Sequence, residues 1–288
     1  MTRHLLTLIL LSLAAGCDSY RQDDFEPEYV VESYLIAGEA LPALRLSTTA
    51  SIEHAYAFET QGVRGATASI SLLDGAGIAE RYPLVEISPG LYEPVDNDVV
   101  VLAGRRYALG VTTPDGTQIQ AQTLVPGDFD LFPPASDTIV YRQQATFTVD
   151  VTESAYPGRS AIYILKLHAS DTTGALTPLY QGWLDDEIVT REELIDNNSG
   201  ILNEANFEPV GDGRLRIVLP WIAVAFFGEN EVVVDAIDDN LFDFIRTRED
   251  NGTRPLGELE NPVDHVDGAR GIFGSLARRQ MPVYIHPD

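Results

Sequence analysis

Period-two alternation dominates this chain and restricts it to sheet-forming folds. Apolar side chains return at every second position in Tyr29–Ile36 (YVVESYLI), Ala43–Thr48, Ala66–Leu73 (ATASISLL), Ile78–Ile87, Val99–Leu102, Tyr107–Thr112 (YALGVT) and Gln118–Val125 (QIQAQTLV). Between them stand Asp74-Gly75, Ser88-Pro89-Gly90 and Pro114-Asp115-Gly116, which supply the fixed or positive φ of tight turns. Short strands at this spacing predict an antiparallel β-sandwich of immunoglobulin or transthyretin type over residues 29–126. Alternation also assigns faces, placing Leu44, Leu46, Ile70, Leu72, Tyr107, Leu109 and Val111 in the core.

The pattern breaks between Pro126 and Pro134, where Pro and Gly accumulate without period, as at a domain boundary. Strands resume at Ala145–Val151, Ala161–His168, Arg214–Leu219, Glu231–Val234 and Pro282–Ile285. Thr190-Arg191-Glu192-Glu193 has the form of a capping box opening a helix that reaches about Asp196. Ile237, Leu241, Phe244 and Ile245 recur at helical spacing within Ala236–Thr247. The expected fold is mainly β, with two β-sandwich domains of immunoglobulin/transthyretin-like type, residues 29–126 and 135–288, the second carrying short helical insertions.

The amino terminus reads as an export signal over residues 1–16: Arg3, the apolar run Leu5–Leu13, then Ala14-Ala15-Gly16. As a helix, Leu5–Ala15 rises about 16 Å, roughly half of a hydrocarbon core, too short for a span. Leu13-Ala14-Ala15-Gly16-Cys17 resembles a bacterial lipobox, so Cys17, the sole cysteine, is the predicted lipidation site. A lone thiol in an exported chain can form no internal disulfide, and acylation accounts for its presence. Two or three acyl chains anchor durably where one does not. Residues 17–28 (CDSYRQDDFEPE) then form an acidic tether.

Net charge is −25, and −26 once Arg3 leaves with the leader. Nucleic acid is thereby excluded as a partner, because binding it requires cations that displace counterions. Anionic bilayer surfaces repel the folded body, so membrane contact falls to the lipid anchor. The histidines, His4, His54, His168, His265 and His286, include no HExxH and no pair at i, i+4. No phosphate-cradling glycine loop, dinucleotide fingerprint or nucleophile elbow occurs. Asp96-Asn97-Asp98, Asp128-Phe129-Asp130, Asp185-Asp186-Glu187 and Asp238-Asp239-Asn240 offer oxygen ligands, but none continues into a calcium loop. The reading is therefore no metal, no cofactor and no catalytic residue. Of the two tryptophans, Trp221 begins an apolar run and belongs in the core, while Trp183 is the candidate ligand contact.

Several stretches together resemble one family. Tyr29–Leu35, Leu44–Thr49, Val63–Ala66 and Ile70–Asp74 are similar to the opening of the Bacteroidota lipoproteins called domain-of-unknown-function family 4249. Gly90-Leu91-Tyr92, Leu102–Leu109 and Ala121–Pro126 continue the resemblance, and Asn261-Pro262-Val263 with Gly268–Gly274 (GARGIFG) look like its closing motif. His265 and Ala269 depart from it, standing where the family often has Asn and Gly. Gly268, Gly271 and Gly274 suit a bulge or positive-φ turn pinned to the core by Ile272 and Phe273.

The resemblance implies an outer-membrane lipoprotein, non-enzymatic and exposed at the cell surface, associated with a TonB-dependent transporter as a binding or accessory component. Asp18 after the acylated cysteine signals inner-membrane retention by proteobacterial rules, whereas Gln22-Asp23-Asp24 resembles Bacteroidota surface-export signals. The alternatives are a structural or adhesive envelope protein, and a hydrolase using paired carboxylates about 5 to 9 Å apart.

Overall fold

The computed structural model describes residues 25–51, 53–75, 77–133, 138–252 and 262–288. The leader, Cys17 and the tether up to residue 24 lie outside the described residues. The first half supplies β1 (Tyr29–Ile36), β2 (Leu44–Thr48), β3 (Thr67–Asp74), β4 (Gly77–Ser88), β5 (Leu91–Pro94), β6 (Arg106–Thr112) and β7 (Gln118–Leu124). Then follow β8 (Leu131–Phe132), β9 (Thr138–Val140), β10 (Thr146–Thr152), β11 (Ile162–Ala169), β12 (Asp196–Asn203), β13 (Glu208–Gly211), β14 (Arg214–Pro220), β15 (Gly228–Ile237), β16 (Val266–Asp267) and β17 (Arg270–His286). The α-helices are α1 (Phe58–Gln61), α2 (Pro178–Asp185) and α3 (Asp239–Gly252).

Thirteen strands join in one curled sheet, a half-barrel ordered β12-β11-β15-β17-β1-β2-β5-β4-β3-β6-β7-β16 with β9 beside β17. A second sheet of four runs β13-β14-β10-β8. The strand β17 ties the halves of the chain together. Arg270–Leu276 pairs in parallel with β1, and Leu276–Ile285 pairs antiparallel with β15. One hydrophobic cluster accordingly takes Leu46, Ile70 and Tyr107 from the first half and Val149, Leu165, Ile217 and Val234 from the second. The mainly β expectation holds, but strands on both sides of residue 126 share one sheet and one core rather than forming two separate sandwiches. Alternation reveals only Pro282–Ile285 of the 17-residue strand that makes the join, because Gly271, Gly274 and the polar Arg278-Arg279-Gln280 interrupt its period.

Locally the pattern is followed closely. The residues predicted to face inward, from Leu44 to Val111, are all buried. Val99–Leu102 forms only a single bridge, Ala40 to Val100, in place of the predicted strand. The Pro/Gly-rich break is packed where it is described: buried Phe129 meets Tyr163 edge-on, ring centroids 5.5 Å apart. The capping box closes as predicted, with the Thr190 amide donating to Glu193 Oε2 at 2.7 Å, yet it opens only the 3-10 turn Glu192–Leu194 because β12 begins at Asp196. The helix predicted from Ala236 begins at Asp239, since β15, paired on both sides, continues through Ile237.

Tyr92 shows how buried polar atoms are satisfied. Its fully buried hydroxyl donates to the Val63 carbonyl at 2.8 Å and accepts from the Ala66 amide at 3.1 Å. Tyr92→Phe strands the Ala66 amide, while the Val63 carbonyl keeps the Gly90 amide at 3.1 Å, and equilibrium urea unfolding is expected to show a loss of about 1–2 kcal/mol. An unchanged midpoint would mean that solvent reaches the Ala66 amide.

Candidate functional site

The alternation that buries Ile70, Leu72, Leu109 and Val111 turns Ser69, Ser71, Ala108 and Gly110 to the opposite face of β3 and β6. Register then aligns them. Pro83, Ser69, Gly110 and Gln120 form one row across β4, β3, β6 and β7, and Arg81, Ser71, Ala108 and Gln122 form the next. In each row the two middle strands contribute small side chains and the outer strands larger ones. Adjacent strands lie about 4.8 Å apart, so the four strands span about 14 Å. The result is a trough of about 700 Å³, walled on the β7 side by Asp264–Asp267.

That wall is held from α3. Asp238 caps the helix, its Oδ1 accepting the Leu241 amide at 2.9 Å. Oδ2 of the same carboxyl accepts from the Thr123 hydroxyl at 2.5 Å, and Thr123 in turn lies 2.5 Å from Ser275 Oγ. Burial pushes the Asp238 carboxyl up to about 6, against the lowering effect of those donors. The Asn240 amide nitrogen donates to the carbonyls of Gln122 and Phe273, at 2.7 and 2.8 Å, bolting the helix to β7 and β17. One turn on, Asp243 Oδ2 lies 2.8 Å from His265 Nε2, and Thr247 Oγ1 accepts the Val263 amide at 3.0 Å. The Asp264 carboxylate accepts from the Gly271 amide at 3.2 Å.

Ser71 occupies the trough's floor. It is 5% exposed and lines the trough, and its hydroxyl has no hydrogen-bond partner among the described residues. Its hydroxyl opens onto the trough, where it stays within reach of solvent or of a bound group.

A family model described as "Domain of unknown function (DUF4249)" matches residues 19–281. The chain belongs to this family. A search of curated proteins finds no match. Gly268–Gly274 forms the turn between β16 and β17 and the start of β17, where Gly268 and Gly271 take φ of 79° and 105° and Ile272 and Phe273 are buried, while Asn261 lies outside the described residues.

The residues singled out in the sequence lie apart from the trough, except His265. Trp183 sits on α2, which alternation does not reveal, and packs edge-on against Tyr180, 5.2 Å between centroids, beside a small cluster including Leu176 and Phe226. The ring is thus half-committed to packing and is no free platform. Trp221 packs against the main core, as expected. His168 pairs with Asp196 at 3.0 Å and His54 with Ser51 at 2.8 Å. Asp96 caps the Asp98 amide at 3.0 Å, and Asp128 pairs with Arg279. Among the described residues no three His, Asp or Glu side chains converge as metal ligands. Among the described residues two carboxyls are raised, Asp238 and Glu204, the latter by burial and by nearby Glu153. Asp238 caps a helix, Glu204 accepts from Tyr163 at 3.4 Å, and neither lines the trough. Cys17, the predicted lipidation site, is outside the described residues.

Core periodicity alone does not single out the trough residues. Their signal lies in ATASISLL, YALGVT and QIQAQTLV, whose outward positions carry no carboxylate although the chain holds 44 acids.

Proposed function

We propose that this protein is a non-enzymatic, lipid-anchored component of the cell envelope, held at the outer membrane through Cys17, that binds a ligand in the trough over β3 and β6 as an accessory of a TonB-dependent transport system. The observation that carries the reading is the trough itself, about 700 Å³ and within the roughly 300–1,000 Å³ usual for ligand sites. A rigid sheet forms its floor, and a segment fastened from α3 forms one wall. Supporting it are the lipobox-like LAAGC sequence and the acidic stretch that follows. Membership of the family adds the implied Bacteroidota lipoprotein setting.

Two measurements test the reading. Cys17→Ser is expected to move the protein from the membrane fraction to the soluble fraction and to remove the lipid mass from its amino-terminal peptide. Affinity purification of the tagged protein from gently solubilised native membranes is expected to recover a β-barrel transporter in stoichiometric amount. Recovery of the lipoprotein alone would favour the structural or adhesive role.

A further inference from the structure

We infer that the trough binds a neutral polyhydroxylated chain, an oligosaccharide without phosphate, sulfate or carboxylate groups. The inference rests on the reading of the trough as a ligand site and names the chemistry of its occupant.

The first observation is Ser71, a nearly buried hydroxyl that opens onto the trough with no partner among the described residues. Held mostly under the surface and unpartnered by the fold, such a hydroxyl is placed to bond a group that enters the trough. The second is what surrounds it. Ser69, Ser71, Gln120 and Gln122 can each both donate and accept hydrogen bonds. Sugar hydroxyls do the same, so a hydroxyl-rich chain can satisfy this set in many registers.

The third observation is Gly110. Its φ is not positive, and a Cβ built there would meet only Ser69 Oγ, at 3.9 Å. Neither the backbone nor packing demands glycine in the middle of β6, where it weakens a strand. What it does is keep the floor low, and with Ala108 it offers a flat apolar strip to the C–H face of a sugar ring. The outward positions of β3, β6 and β7 carry no carboxylate, in a chain of net charge −25. A face that merely met water in so acidic a protein would share its acids. Anionic ligands are opposed by that net charge and by Asp264 and Asp267 on the wall, with Arg81 as the cation opposite. A peptide strand is a poorer fit, because extended peptides add to a sheet edge, and here the backbone groups of β3 and β6 are paired on both sides.

The test uses the detergent-solubilised mature lipoprotein and its Gly110→Val variant, titrated calorimetrically. The probes are cellohexaose, maltohexaose, xylohexaose and mannohexaose, a galacturonate hexamer, and an uncharged Ser/Gln/Gly decapeptide. At least one neutral hexasaccharide is expected to bind saturably, and at least tenfold more tightly than the galacturonate or the peptide. Gly110→Val is expected to weaken that binding at least tenfold while leaving the melting temperature unchanged or higher, since valine favours strands. Should that variant fold poorly, Gln122→Ala, whose side chain holds nothing in the fold, is expected to weaken binding at least threefold. Absence of binding by every neutral hexasaccharide, preference for the galacturonate or the peptide, or unaltered affinity in the variants overturns the inference. Recovery of a barrel transporter alongside failed glycan binding removes the ligand class alone. Glycan binding without the transporter removes the transport association alone.

Discussion

Gly271→Ala is expected to cost about 4 kcal/mol or to prevent folding, the largest effect foreseen for a single methyl group in this protein. Gly271 lies opposite Val31 in the parallel ladder between β17 and β1, at φ 105°. A Cβ there would stand 2.0 Å from the Val31 carbonyl oxygen and 3.1 Å from both its carbonyl carbon and its nitrogen. These are backbone atoms, so no rotamer change relieves the overlap. Either β1 moves away from the strand that joins the two halves, or the turn from Gly268 to Gly271 opens and takes Asp264 with it, because that carboxylate bonds the Gly271 amide. Gly104→Ala is the control. It shares a positive φ, 69°, but its Cβ would meet nothing within 4 Å. It is expected to lose only the conformational cost of about 1–2 kcal/mol. Urea unfolding of both variants isolates the clash as the difference, and equal losses would show that the β1–β17 contact yields easily.

The contrast between these glycines marks how far the sequence could be read. Period two located β1 over Tyr29–Ile36 without error, and for β6 and β7 it came within one residue at each end. It succeeded there because one face of each strand is buried and the other is not. It could equally have exposed the candidate site, since the parity that sends Ile70 and Leu72 inward sends Ser69 and Ser71 out. The cue is an acidic protein that keeps its acids off the outward positions of three adjacent strands. The trough's wall was another matter. Val266 and Asp267 reach Ala121 and Gln120 through pairings some 145 residues distant in the chain, and no local pattern records so remote a partner. Likewise β17 is covered on both faces, Phe273 and Ala277 packing into the main core and Ile272 and Leu276 against Leu241 of α3, so its buried residues do not alternate. Gly268-Ala269-Arg270-Gly271 advertised a turn, but only geometry shows that Gly268 is demanded by the Gln118 carbonyl, 2.2 Å from a Cβ, as Gly271 is by Val31. A histidine outside any ligand motif reads as a surface or hydrogen-bonded residue, and His265 is hydrogen-bonded, but its place on the trough wall depends on Asp243, 22 positions earlier on a helix whose start the pattern set three residues too soon.

The same helix start makes stability depend on pH in a window that one substitution removes. The Asp238 carboxyl is 1% exposed, and burial pushes its pKa from the ordinary 3.8 up to about 6. Between those values the folded protein holds a proton that the unfolded chain has released. Stability from this group is therefore fully present below about pH 4, falls as pH rises through about 6, and is level above. A shift of about two units corresponds to about 3 kcal/mol. Asp238→Asn keeps the shape and stays neutral at every pH. Its oxygen can still accept the Leu241 amide, and its amide nitrogen can donate to the Thr123 oxygen once that hydroxyl, which donates to the carboxylate, turns to donate to Ser275 Oγ instead. The difference in unfolding free energy between the two proteins is expected to be flat below pH 4. By pH 7 it should have shifted by about 3 kcal/mol in favour of the variant. Taking the difference removes other titrations. Glu204 is raised in the same direction, and Asp115, held at about 2 by Thr113 and the Thr117 amide, acts with the opposite sign at lower pH. A difference that does not change with pH would mean that Asp238 titrates alike folded and unfolded. The cap of α3 would then be solvated, and the wall that it supports through Asp243 and His265 would be looser than the geometry describes.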